Sequence, residues 1–430
     1  MRWLADMAYL IVGLFYLPIA VYQSIVHGKH RSGWRQRFGG VPRHLWRSDS
    51  TPGRIWIHAV SLGEINATPK LVEALRALRP DADIVFSCTT DTGYHRAVAL
   101  YGRDRVFRYP LDFSLVVNHV LNHLRPSMIV LVELEVWYNL VRLATRRGIP
   151  VAVVNGRLTA RSAKRLSRLG APVRPMFADL AWVGAQDETI AGRFHQLGVR
   201  ADRLEVTSSM KWDTASVSET VAGAAELALA MGIDRSAPIL VCGSTGPGEE
   251  EIILNAHRTM HPSPALILVP RKPERFDEVA ALIERAGFTC VRRSQRPDGS
   301  APPPPDSAKP SVLLGDTMGE LRKFYSLADV VFVGRSLVPM GGSDPMEVAA
   351  LGKPIVVGPH MENFEAPARE LQKEGALRIV HSAPQLSETI SDWLKTPDRA
   401  SAIGSRGRDV VLRNQGATRR TADRLIALLR

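Results

Sequence analysis

Glu64 closes the run RIWIHAVSLGE, where an alternating-to-apolar strand over residues 53–60 gives way to the helix-prone TPKLVEALRALRP. A carboxylate at such a strand end can take a proton from a hydroxyl as a general base, or it can stabilise the first helical turn through its charge. The stretch 333–364, VGRSLVPMGGSDPMEVAALGKPIVVGPHMENF, offers a different chemistry. Gly341 and Gly342 allow close backbone approach and unusual dihedrals, beside Ser343, Asp344 and Glu347, and N–H groups at a helix start can hold phosphate. Ser244, Thr245, Gly246 and Gly248 follow the strand PILVCG and can present hydroxyls and N–H groups in the same way. Arg271 and Lys272 come directly after the apolar ALILVP, placed for a phosphate or a carboxylate. Glu320 is a candidate crevice carboxylate. Glu133 and Glu135 interrupt the apolar run MIVLVELEVW, where charge needs a partner. A crevice or an arginine such as Arg157 would serve, and salt-bridged scaffolding is the plain alternative.

These residues share one kind of position, the carboxyl end of a strand that feeds a helix. Successive strand–helix units fill residues 53–215, and a fresh series starts at Ala237. Right-handed parallel crossovers are the expected connections, and the carboxyl edge of a parallel sheet is where such folds take ligands. A chain of 430 residues suits two domains better than one. The expected division is 1–50 as an anchor with a basic flank, 51–215 and 216–405 as Rossmann-like domains, and 406–430 as a C-terminal helix with the N-terminal domain as its candidate packing surface. The Pro-rich segment 292–310 reads as a flexible excursion inside the second domain. No GxGxxG follows the first strand, and the P-loop and GxSxG patterns are missing, which weighs against dinucleotide oxidoreductase, P-loop and hydrolase readings.

The net charge of +12 favours an anionic partner. Nucleic acid, anionic lipid and phosphorylated substrate all qualify, but no compact aromatic-basic module supports nucleic acid. The 3 cysteines lie far apart and lack a CxxC pair, which argues against a disulfide framework or a zinc site and fits a reducing compartment. Residues 7–26, MAYLIVGLFYLPIAVYQSIV, hold no ionisable group except tyrosine and reach the lower range for a membrane span. The flank after them carries Lys29, Arg31, Arg35, Arg37, Arg43 and Arg47, which by the positive-inside rule keeps the remaining chain cytoplasmic. The expectation is an N-terminal anchor at the inner membrane, spanning it or lying on it. The helix expected over 160–169, with Arg161, Lys164, Arg165 and Arg168, presents either a surface for anionic lipid or a solvated face.

Six pieces, in order, resemble the 3-deoxy-D-manno-octulosonic acid (Kdo) transferase family of lipopolysaccharide synthesis: WIHAVSLGE (56–64), ELEVWYN (133–139), VNGRLTARS (154–162), VPRKPER (269–275), GDTMGEL (315–321) and the stretch 333–364. The resemblance implies a GT-B fold, two Rossmann-like domains facing a central cleft, with a membrane-associated N-terminal helix at the cytoplasmic face. It implies CMP-Kdo as donor, a lipid A precursor of the lipid IVA type as acceptor, inversion, and no required metal or other cofactor. Glu64 matches the family's general base. On the donor side it implies Ser244, Thr245, Arg271, Lys272, Met318, Gly319, Glu320, Gly341, Gly342, Ser343, Glu347 and Asn363, with Lys211 and Glu133 as charge-stabilising groups. The chain departs from the family's usual pattern at Arg335, where a glycine is common, and at Ser343 and Asp344, where histidine and asparagine are common. It departs again at Gly246, where histidine is common, and at Tyr138, where proline is usual. The alternatives are a membrane GT-B glycosyltransferase with another nucleotide sugar or acceptor, and a catalytically inactive scaffold.

Overall fold

The computed structural model describes residues 6–7, 9–11, 13–15, 22, 33–47, 53–134, 136–170, 173–297 and 310–429. The chain divides into two compact units, Met1–Thr214 with Gln415–Arg430, and Ala215–Asn414.

Among the described residues the first unit contains seven strands: β1 (Arg54–Ala59), β2 (Asp83–Cys88), β3 (Val106–Arg108), β4 (Met128–Val132), β5 (Val151–Gly156), β6 (Trp182–Ala185) and β7 (Leu204–Val206). They form one sheet in the order β3-β2-β1-β4-β5-β6-β7, with every pairing parallel. Side chains alternate across a strand, and both faces of this sheet are covered. Ile55, Ile57 and Ala59 pack into one core with Ile84, Phe86, Val130 and Val132. Trp56 packs into the other with Val85, Phe107, Ile129 and Leu131. That double burial is why these segments read as apolar runs.

The second unit repeats the plan with β8 (Ile239–Thr245), β9 (Ala265–Pro270), β10 (Thr289–Arg292), β11 (Ser311–Leu314), β12 (Val330–Val333), β13 (Ile355–Val357) and β14 (Leu377–Ile379). The order is β10-β11-β9-β8-β12-β13-β14, again all parallel. Strand order therefore reverses between β1 and β4 in one sheet and between β8 and β12 in the other, which opens a crevice at the carboxyl ends of each pair. Cys88 and Cys242 are buried in the cores as small apolar groups, and all three cysteines are free thiols.

The tail is two helices rather than one. Pro397–Asn414 belongs to the second unit, and Ala417–Leu428 belongs to the first, where it packs on the helix Pro69–Leu78. Ala417, Ala422 and Leu425 share a core with Leu71, Val72 and Leu75. Asp213 fastens this return by accepting the N–H groups of Gly416 and Thr418, each at 2.6 Å.

The expected inner-membrane localisation through an N-terminal anchor is corrected here. Among the described residues, no helix is long and apolar enough to cross a membrane. A crossing needs about 20 apolar helical residues. Much of 7–26 lies outside the described residues. The 18-residue helix Pro397–Asn414 is long enough to approach a span but carries Arg399, Arg406, Arg408, Asp409 and Arg413. The flank taken as juxtamembrane is also partly built into the first unit: Arg37 is buried, and its Nη2 donates to the carbonyl of Thr89 at 2.6 Å. Of the flank, Lys29 and Arg31 lie outside the described residues, as does Glu135.

Because Asp213 satisfies two N–H groups at a helix start, Asp213→Ala should destabilise the protein by about 1–2 kcal/mol. Urea unfolding is the measurement, and a variant as stable as the parent would remove this capping role.

Candidate active site

In the first unit the site starts from a cap. Ser61 precedes the short helix Leu62–Asn66, and its Oγ accepts the Glu64 N–H at 3.3 Å. Glu64 answers with both oxygens. Oε1 accepts the Ser61 hydroxyl at 2.9 Å, and Oε2 accepts the Val60 N–H at 2.8 Å. This is a capping box displaced by one residue toward the strand. The turn after β2 is bonded to the same strand end, since Thr90 N–H and Oγ1 both donate to the Val60 carbonyl, at 3.0 and 2.7 Å. Gly93 faces this turn, and a Cβ there would lie 3.1 Å from the Val60 oxygen.

Glu64 is only 8% exposed. Burial pushes its carboxyl above the ordinary value, the Val60 and Ser61 hydrogen bonds oppose that, and the charge of Glu133 adds to it. Glu133 stands directly after β4 with φ 62°, its N–H on the Val154 carbonyl at 2.9 Å. The two glutamates thus influence each other through charge where the strand order reverses. Asn155 holds the two residues that precede Lys211: its Oδ1 accepts the Ser209 hydroxyl and the Met210 N–H, both at 3.2 Å. Among the described residues, no ion pair joins Lys211 or Arg157 to Glu64 or Glu133.

In the second unit the centre is Glu249, a fully buried residue at the start of the helix Glu249–His257. Its Oε2 accepts the N–H groups of Gly246 (3.0 Å) and Arg335, and its Oε1 accepts those of Ser336 (2.7 Å) and Leu337 (2.8 Å). Burial raises its carboxyl above the ordinary value, and these four N–H groups oppose the rise. Ser336 carries the network onward. Its hydroxyl donates to Val333 at 2.6 Å and accepts the Gly358 N–H at 2.8 Å, and its carbonyl accepts the His360 N–H at 3.0 Å. The Gly342 N–H bonds the Arg335 carbonyl at 2.8 Å, and the Asn363 N–H bonds the Gly341 carbonyl at 2.9 Å. Gly341 and Gly342 have φ 83° and 75°, and a Cβ on Gly342 would come within 2.5 Å of the Met361 sulfur. Ser343 Oγ lies 3.4 Å from the Ser244 carbonyl, and Asp344 accepts the Met346 N–H at 2.8 Å. The charge of Glu347 raises the titration of buried Tyr325, after burial itself.

The turns carrying Ser244, Gly341, Gly342, Ser343 and Asn363 are therefore joined around the β8–β12 reversal. Arg271 follows β9, with its N–H on the Thr245 carbonyl at 3.1 Å, and the side chains of Arg271 and Lys272 are exposed. Met318 and Gly319 lie in the turn after β11, two strands from β8, with Met318 69% exposed.

Two candidate side chains do other work. The Thr245 hydroxyl, expected to face a phosphate, donates inward to Glu250 at 2.7 Å, where Arg275 forms a two-pronged pair with that carboxylate at 2.7 and 3.1 Å. Buried Glu250 needs these donors, so the hydroxyl turns to it. Glu320, expected as a crevice carboxylate, is an ion-pair anchor for the segment after β10. Burial alone would raise it, but Arg293, Thr317 and Lys323 outweigh that and hold it at about 2. Among the described residues, no group of three or more His, Cys, Asp or Glu is arranged to hold a metal ion.

Residues 32–214 match a family described as 3-deoxy-D-manno-octulosonic-acid transferase. A 3-deoxy-D-manno-octulosonic acid transferase of Haemophilus influenzae is 35% identical over 410 residues, covering 94% of this chain and 92% of that one. The chain belongs to the Kdo transferase family. A Kdo transferase of Bordetella pertussis is 37% identical over 387 residues, covering 86% of each chain. A crystal structure of MurG from Acinetobacter baumannii superposes with a TM-score of 0.56 at 14% identity, covering 87% of this chain and 100% of that one, and speaks to the fold alone. The protein is an enzyme of the Kdo transferase type, with the two Rossmann-like domains of a GT-B glycosyltransferase.

Within the Kdo transferase pattern, some motif residues are structural. Asn139 of ELEVWYN starts a helix capped by buried Asp112, which accepts the Asn139 and Leu140 N–H groups at 2.8 and 2.9 Å. Ser336 and Asn155 were not singled out from the sequence, where the glutamates at 249–251 read only as suited to a helix start. The available signal was three successive glutamates after Pro247-Gly248, more acid than one helix start needs. Since Glu249 alone satisfies four N–H groups, Glu249→Ala should cost about 3 kcal/mol or more, and Glu249→Gln, with one acceptor oxygen in place of two, an intermediate amount. Denaturant midpoints of the two variants test this ordering.

Proposed function

We propose that this enzyme transfers Kdo with inversion from CMP-Kdo to a lipid A precursor of the lipid IVA type. In this reading the first unit activates the acceptor and the second binds the CMP-sugar. The observation that carries it is Glu64, a buried carboxylate at a sheet-reversal point, in a chain of this family. A carboxylate offers about four lone-pair sites, and the two internal hydrogen bonds leave room for the acceptor hydroxyl. Glu64 takes the proton of that hydroxyl while its oxygen forms a bond to the anomeric carbon, and the bond from that carbon to the phosphate oxygen breaks to release CMP. Lys211 and Glu133 balance charge near the acceptor. The exposed Arg271 and Lys272 suit the phosphate, and Ser244, the Gly341–Ser343 turn, Glu347 and Asn363 frame the remaining donor groups.

Incubating the purified enzyme with CMP-Kdo and tetraacylated lipid A precursor, with mass analysis of the product, is the direct test. Turnover of another nucleotide sugar without Kdo transfer would sink the proposal. Glu64→Gln should lower kcat by about 100-fold to 10,000-fold with the fold intact. A base must be unprotonated, and the Glu64 carboxyl is raised, so activity is present above its raised pKa and lost as pH falls through it. The acid limb of kcat/KM should lie above the ordinary Glu value of about 4.3 and disappear in Glu64→Gln.

A further inference from the structure

Arg335 occupies a backbone position that disfavours any side chain. Its φ is 60°, in the left-handed region that glycine adopts freely. The buried Glu249 carboxylate imposes this conformation by holding the N–H groups of 335, 336 and 337 together. The side chain then needs space, and Gly246 supplies it. A Cβ added at Gly246 would lie 3.1 Å from Arg335 Cγ and 2.6 Å from Met340 Sδ, so the stem of Arg335 and the Met340 thioether fill the volume a larger residue would claim. The two departures from the family pattern at 246 and 335 are thus one change in space.

The guanidinium at the end of that stem is largely unspent. Its Nη2 donates to the Met340 carbonyl at 3.1 Å, and among the described residues it has no ion pair. A guanidinium carries five N–H donors in a planar fork that matches a phosphate. The carboxylate that its turn binds, Glu249, is already filled by four N–H groups. Arg335 also lies directly beyond β12 at the β8–β12 reversal, where a doubly wound sheet receives its ligand.

We propose that Arg335 is a phosphate-binding residue of this enzyme, reaching over Gly246 to the phosphate of the nucleotide, and that glycine at 246 is what admits it. This rests on the reading that the second unit binds a CMP-sugar. Arg335 contributes two hydrogen bonds and a positive charge to that phosphate, and so stabilises CMP as it departs.

The test is calorimetric titration of the full chain with CMP, alongside steady-state kinetics with CMP-Kdo and lipid acceptor. Arg335→Gln should weaken CMP binding by about 10-fold or more and raise the KM for CMP-Kdo, leaving the KM for acceptor unchanged. Arg335→Lys should fall between, because it keeps the charge and loses the fork. Arg335→Gly relieves the backbone, so its melting temperature should not fall, yet it should lose CMP as Arg335→Gln does. Gly246→Leu should weaken CMP binding with Arg335 still present. Parent-like CMP affinity in Arg335→Gln or Arg335→Gly, or an equal rise in both KM values, would overturn the role of Arg335 while leaving the donor reading intact. Failure of the parent enzyme to bind CMP at all would overturn the donor reading and this inference together.

Discussion

Glu249 carries a carboxylate into a position shut off from water. Removing such a group from solvent costs several kcal/mol, and here four backbone N–H groups from two loops offset it. The dependence runs both ways, because those N–H groups sit in turns with no ladder partner and would otherwise be unpaired. The left-handed backbone at Arg335 persists because three successive N–H groups converge on one acceptor. Through Ser336 the same constraint reaches Gly358 and His360, so the turns after β8, β12 and β13 share one geometry. The shape of the candidate donor site therefore depends on a residue that has no need to touch the donor.

Glu64 begins from similar circumstances and ends with a different capacity. It too is a glutamate in the first turn of a helix after a central strand, and it too is bonded to its own turn. It receives two internal hydrogen bonds where Glu249 receives four, and it keeps a small exposed surface. Burial and Glu133 raise its proton affinity. Environment, rather than residue type, separates a carboxylate suited to exchanging a proton from one that only holds loops. Capping also orients Glu64, so its structural and chemical readings are compatible.

Much of the architecture was legible because parallel strands covered on both faces must be apolar along their length. RIWIHAV, MIVLV, PILVCG and ALILVP each became central strands, and the candidate residues at their ends stand at carboxyl edges as anticipated. The side chains of Thr245 and Glu320 have partners inside the protein that their strand-end positions did not announce. Each is polar at a strand end; Glu250, five residues on, accepts the Thr245 hydroxyl, and Arg293 pairs with Glu320 from the segment after β10. The membrane expectation rested on a run of apolar residues, and among the described residues no helix is long and apolar enough to cross a membrane.

The amino-acid sequence by itself determined the fold class, the two strand–helix series, the family and the position of Glu64. These follow from local periodicity and from ordered motifs, which are properties of neighbouring residues. Tertiary structure decided which glutamate is a cap with spare lone pairs and which is sealed. It returned the last helix to the first unit. It also showed that Arg335 and Gly246, 89 positions apart, fill one space. Those outcomes depend on which donors and which volumes meet across separate strands, and no stretch of neighbouring residues contains that information.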